Sequence, residues 1–64
     1  MRKRIRFTKA FEEYRRRYGT KRALSYLAGY YLIPDKYDKK FKKQAMRALK
    51  EGKKGFVFDS RKRA

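Results

Sequence analysis

The chain contains no cysteine and no histidine. The first absence rules out disulfides and thiolate metal sites. The second removes the commonest metal ligand, the usual general base and every histidine-based triad. Acids are scarce: Glu12, Glu13, Asp35, Asp38, Glu51 and Asp59 stand against 22 lysines and arginines. A paired-carboxylate hydrolase needs acids held together in a cleft. Asp35 and Asp38 read instead as a turn pair capping the positive end of a helix. Ser25 and Ser60 have no base partner, and Gly52 and Gly55 fit no nucleotide-loop spacing. The expectation is a non-enzymatic protein with no cofactor, no metal and no small-molecule substrate. Long apolar runs are also missing. The longest, Tyr30 to Pro34, falls far short of the roughly 20 residues that span a bilayer. The opening MRKRIRFTKAF lacks the apolar stretch of a secretory signal. No membrane partner and an intracellular location are expected.

What is abundant is positive charge. The formal net charge is +16 on 64 residues, one excess positive charge for every four residues. Charge on this scale speaks to partners and solubility, not to fold. Phosphate polymers are the expected partners. High charge also favours disorder, but aromatic residues make up 17% of the chain, and their spacing is regular.

That spacing predicts three helices. Thr8 is a candidate N-cap, and Phe7, Ala10, Phe11, Tyr14 and Tyr18 recur at helical intervals until Gly19 stops the first helix. Glu12 and Glu13 precede Arg16 and Arg17 by four residues, the favourable order for ion pairs. Thr20 reads as the cap of a second helix carrying Ala23, Leu24, Leu27, Ala28, Tyr31 and Leu32 on its buried face, with Tyr26 and Tyr30 widening it. Gly29 is a weak helix former and marks either close packing or an early end. Pro34 cannot continue this helix. A third helix is expected from about Lys36 to Glu51. At 100° per residue, Tyr37, Phe41, Ala45, Ala48 and Leu49 fall within about 120°. Gly52 ends it. Phe56, Val57 and Phe58 have strand propensity and are expected to form a short strand, pairing near Ile5 to Phe7. Residues 1–6 read as a short strand or, in the domain division adopted, a basic N-terminal arm. Residues 7–58 form a tri-helical core and 59–64 a basic tail, all within one small domain. The fold class is mainly α: a three-helix, helix-turn-helix-like domain with a short C-terminal β-strand or rudimentary wing.

The stretch SYLAGYYLIPDKYDKKFKKQAMRALKEGK resembles the second and third helices of the linker-histone globular domain. The likeness lies in Tyr26-Leu27, in Tyr31 followed by Ile33, and in a lysine-rich third helix ending at Gly52. It covers about half of the chain. It implies a winged-helix fold and linker-DNA binding. The family's glycine-rich wing is reduced here to GKKGFVF, and its long Lys/Ala/Pro-rich tail has no counterpart.

The candidate site residues are cations. On the third helix Lys39, Lys43, Arg47 and Lys50 share a face, flanked by Lys40 and Lys42. A phosphate-contacting surface binds tightly at low salt and weakly at high salt, whereas a merely solvated lysine face binds nothing. Arg2, Lys3, Arg4 and Arg6 open the chain, and Arg61, Lys62 and Arg63 close it. Arg15, Arg16 and Arg17 end the first helix, Lys21 and Arg22 begin the second, and Lys53 and Lys54 follow the third. Arginine pairs with phosphate oxygens in two-pronged fashion and stacks on bases. Phe7, Phe11, Tyr14, Tyr31 and Phe41 read as core. Tyr26, Tyr30 and Tyr37 read as helix-edge rings open to solvent.

Three functions fit. The first is a structural RNA-binding protein of ribosomal type, contacting phosphates from several faces beside other proteins of a ribonucleoprotein assembly. The second is a helix-turn-helix or winged-helix DNA-binding protein, chromatin-like or viral. Its third helix would present Lys39, Lys43 and Arg47 to a groove. Lysines position on phosphate and read bases poorly, so low sequence specificity is expected. The third is an adaptor for an acidic protein. Charge spread over all three helices and both ends favours RNA over DNA.

Overall fold

The computed structural model describes residues 1–61. In chain order the elements are β1 (Arg2–Arg6), α1 (Lys9–Tyr18), α2 (Thr20–Tyr30), a 3-10 turn at Asp35–Tyr37, α3 (Asp38–Lys50) and β2 (Gly55–Asp59). The fold is therefore mainly helical, closed by a two-stranded antiparallel sheet.

Alternation builds β1. Ile5 is fully buried, while Arg2, Arg4 and Arg6 face solvent. The register sets Lys3 opposite Phe58, Arg4 opposite Val57 and Ile5 opposite Phe56. Residues 1–6 are thus a core strand and not a basic arm, because Ile5 can be buried only when the strand is held flat on the core. The tail also begins later than 59: Asp59 belongs to β2 and Ser60 is buried. Lys62 and Arg63 lie outside the described residues. Gly55 is sterically required. A Cβ there would run into the Ile5 carbonyl oxygen and sit 3.2 Å from the Arg6 Cα.

Thr8 caps α1, its Oγ1 accepting a hydrogen bond from the Phe11 N–H at 3.2 Å. The α1 stripe is narrower than expected. Phe11 is buried, but Ala10 is exposed and Tyr18 is 49% exposed. The reason is that α1 packs on α2 and not on α3. Gly19, at φ 94°, both ends α1 and stands at the cap of α2. Thr20 is already helical and does not cap α2; its hydroxyl accepts from Arg15 Nε at 3.1 Å.

Ala23, Leu24, Leu27 and Ala28 make α2 the most buried helix. It ends at Tyr30, so Leu32 does not continue its buried face. Leu32 takes φ 56° and is 79% exposed. The Ile33 N–H donates to the Ala28 carbonyl at 2.9 Å and the Leu32 N–H to the Gly29 carbonyl at 3.2 Å. This is a Schellman cap with Leu32 in the left-handed position that glycine usually holds. Pro34 forces Ile33 out of the helical conformation, and the cap turns Ile33 into the core in place of Leu32.

The third helix starts at Asp38, behind the 3-10 turn, and neither Asp35 nor Asp38 makes a capping hydrogen bond to it. Asp38 pairs with Lys42 at 3.0 Å instead. Phe41, Ala45 and Ala48 are buried and Leu49 half-buried, as the periodicity predicts. Phe41 lies 5.7 Å from Phe56 and 5.5 Å from Phe58 between ring centroids, which joins α3 to the sheet. Phe11, Phe41, Phe58, Ile5 and Leu27 are the largest fully buried side chains, each worth about 1.5–3 kcal/mol. Gln44 fastens the far edge of β2. It donates to the Asp59 carbonyl at 3.0 Å and accepts from the Asp59 N–H at 3.3 Å.

Candidate nucleic-acid interface

Burial of Phe41, Ala45 and Ala48 decides which way α3 faces. At 100° per residue, Lys39, Lys43 and Lys50 fall within about 40° of one another, opposite that buried stripe. All three are exposed. Arg47 lies beside them and pairs with Glu51 at 3.3 Å. Its side chain is 78% exposed, so the pair holds it weakly and leaves it free to exchange partners.

The two remaining α3 cations point elsewhere. Lys42 is half-buried in its pair with Asp38. Lys40 turns to the sheet side and donates to the Ser60 carbonyl at 2.7 Å. Lys3, likewise predicted as a phosphate contact, points inward from β1 and donates to the Tyr31 carbonyl at 2.6 Å. Lys3 and Lys40 therefore hold the fold together, while Arg2, Arg4 and Arg6 form the outward row of β1.

On α1, Glu12 pairs with Arg15 at 3.8 Å, not with Arg16. Arg15 bridges two partners, its Nε donating to Thr20 and a terminal guanidinium nitrogen meeting Glu12. Arg16 and Arg17 are exposed, as are Lys21 and Arg22 at the start of α2. Lys53 and Lys54 are exposed after α3, Lys53 pairing with Glu51 at 3.1 Å, and Arg61 is exposed beyond β2. The Glu51 carboxyl is held below the usual glutamate range, first by the hydrogen bond from Lys53 and then by that residue's charge, with Arg47 adding to both.

An open groove of about 800 Å³ runs between the start of α2 and the outer half of α3. Leu24 and Met46 form its floor, and Lys21, Lys43, Arg47 and Lys50 rim it. Met46 is 39% exposed. The first turn of α2 carries no acid, so its N-terminal dipole adds to the positive field. The groove is thus lined by cations around an apolar floor. Among the described residues, no group of three His, Cys, Asp or Glu side chains is placed to hold a metal ion, and no helix is long and apolar enough to cross a membrane.

Tertiary structure also assembles what the one-dimensional pattern does not display. Tyr14 stacks on Tyr26 across α1 and α2 at 4.8 Å with an interplanar angle of 8°. The signal was present as two i,i+4 tyrosine pairs, Tyr14/Tyr18 and Tyr26/Tyr30, on helices separated by one residue. No family model, curated protein or solved structure matches the chain.

Proposed function

We propose that the protein is a non-enzymatic RNA-binding protein of structural type, contacting RNA phosphates from several faces at once. The observation that carries this reading is exposed, uncompensated positive charge on β1 and on all three helices. Arg2, Arg4 and Arg6 lie on β1, Arg16 and Arg17 on α1, Lys21 and Arg22 on α2, and Lys39, Lys43 and Lys50 on α3. None of these ten is in a salt bridge among the described residues. A straight duplex touches one side of a small protein, whereas folded RNA can surround it. The spread of charge therefore favours RNA.

Duplex DNA is the second reading, and the unobstructed lysine pole of α3 favours it. That pole holds Lys39, Lys43 and Lys50, with Arg47 beside them and no exposed asparagine or glutamine to pair with base edges. Binding to DNA would then be nearly independent of sequence.

The test is extraction of the nucleic acid that accompanies the protein when purified at low salt from its own cells, followed by separate RNase and DNase digestion. RNase-sensitive material that dissociates with rising salt is expected. DNase-sensitive duplex of mixed sequence selects the second reading, and an acidic protein in place of either rejects both. In vitro, Lys43→Gln with Lys50→Gln is expected to lower the salt dependence of RNA binding by about two phosphate contacts.

A further inference from the structure

We propose that the tyrosines along α1 and α2, ending at Tyr30 and Leu32, form a stacking site for unpaired RNA bases. This rests on the RNA-binding reading and adds to it the kind of RNA: one that offers unpaired nucleotides.

The rings form a continuous series. Tyr18 lies 4.6 Å from Tyr14 between centroids, Tyr14 4.8 Å from Tyr26, Tyr26 6.5 Å from Tyr30 and Tyr30 5.0 Å from Tyr31. The inner rings are half-buried, and Tyr30 is 65% exposed. The end of the series is fixed in place. Tyr31 Oη accepts the Arg6 N–H at 3.1 Å, and its carbonyl accepts from Lys3. The exposed Tyr30 ring packs edge-on against this fixed neighbour, and a supported ring loses less freedom when a base stacks on it.

Two residues beside Tyr30 run against local stability, and although the helix cap explains the backbone at Leu32, packing does not account for the choice of residue at either position. Gly29 disfavours the helix, yet a Cβ built on it would meet nothing within 4 Å. Leu32 takes a left-handed conformation that leucine avoids and exposes its side chain. Exposed strain of this kind points to use rather than to folding. The bare backbone at Gly29 leaves room beside the rings for a flat base. Leu32 offers an apolar edge of the sort that wedges against unstacked bases.

The surroundings select the occupant. Arg22 lies one turn before Tyr26 on the same side of α2, and α2 carries no acid. The Lys3 ammonium stands at the Tyr31 end, where the Arg6 backbone N–H also meets the Tyr31 hydroxyl. Cations beside exposed aromatic rings suit a base with its phosphate. The tip is also separate from the groove on α3. Lys21 and Tyr30 are about 14 Å apart along α2 at 1.5 Å per residue, so RNA reaching both must pass around the protein.

The experiment uses the full chain with two probes: single-stranded oligoadenylate and an RNA duplex with the same number of phosphates. Salt is raised until exposed phosphate contacts are largely screened. Tyr30→Ala combined with Leu32→Gly is expected to weaken oligoadenylate binding about tenfold while leaving duplex binding and the salt dependence unchanged. Wild-type tyrosine fluorescence should be quenched by oligoadenylate and not by duplex. Circular dichroism verifies that the variant is folded. Equal loss on both probes, or no loss on either, overturns the stacking site while leaving phosphate binding by the wild type intact. Failure of the wild type to bind either RNA at low salt removes the RNA reading itself. Self-association of the wild type that the double variant abolishes would make the tip a contact between copies of this chain, and overturns the proposal.

Discussion

Glu51 shows how thinly acids are used in this chain. One carboxylate serves both Lys53, at 3.1 Å, and Arg47, at 3.3 Å, and its pKa is lowered chiefly by the Lys53 hydrogen bond. A lowered carboxyl means that the fold favours the charged form. Any stability Glu51 contributes is full above the ordinary glutamate pKa and is lost as pH falls through the lowered value. Lys53→Gln should move the Glu51 titration, followed by NMR, upward towards the ordinary range. An unmoved midpoint would mean that Arg47 alone sets it. Gly55 presents a steric case. Its missing side chain is what lets β2 lie against Ile5 and Arg6. Gly55→Ala is expected to cost about 1–3 kcal/mol in urea unfolding, as overpacking does. A neutral result would mean that the strands separate at that end with little loss.

The helix ends make a matched pair of elements. Both α2 and α3 close with the Schellman hydrogen bonds, Ile33 to Ala28 with Leu32 to Gly29, and Lys53 to Ala48 with Gly52 to Leu49. The residues in the left-handed position differ: Gly52 at φ 71° and Leu32 at φ 56°. Leucine costs about 1–2 kcal/mol there. Leu32→Gly is therefore expected to stabilise the protein by about 1 kcal/mol after the added freedom of the unfolded glycine is subtracted. Gly52→Ala should destabilise it by a similar amount. Thermal melts of the two variants check the pair, and a lower midpoint for Leu32→Gly would show that the exposed leucine supports the fold.

At the scale of the molecule, like charge opposes compaction. With 22 cations, six acids and a formal charge of +16, the folded chain repels itself more than the expanded one does. Salt screens that repulsion, the Debye length falling from about 30 Å at 0.01 M to about 10 Å at 0.1 M. The melting temperature should rise with sodium chloride over that range. On the proposed function it should rise further with RNA, as it does with any ligand of the folded state. A midpoint that falls with salt would mean that the four ion pairs among the described residues outweigh the repulsion. The lysines along α3 find their place at this scale. Phe41, Ala45 and Ala48 take one side of the helix into the core, and the opposite side is left to carry Lys39, Lys43 and Lys50.

Local pattern by itself determined much of this protein. Periodicity located three helices, Thr8 and Gly19 marked the first helix's ends, and the buried stripe of α3 fixed the exposed one. The basic face was legible because a 3.6-residue repeat assigns inward and outward positions without knowledge of the neighbours. Strand propensity at Phe56 to Phe58 gave the strand and suggested its partner. Tertiary structure alone decided the rest. Whether residues 1–6 formed a strand or an arm depended on β2 being present to pair with them. Lys3 and Lys40 read like every other lysine until packing set the carbonyls of Tyr31 and Ser60 beside them. Leu32 kept the helical period in sequence, but Pro34 ended the helix early and the cap turned Ile33 inward. The tyrosine series spans two helices, and only their packing brings Tyr14 onto Tyr26. Spacing along the chain governs contacts within an element; contacts between elements depend on how they dock.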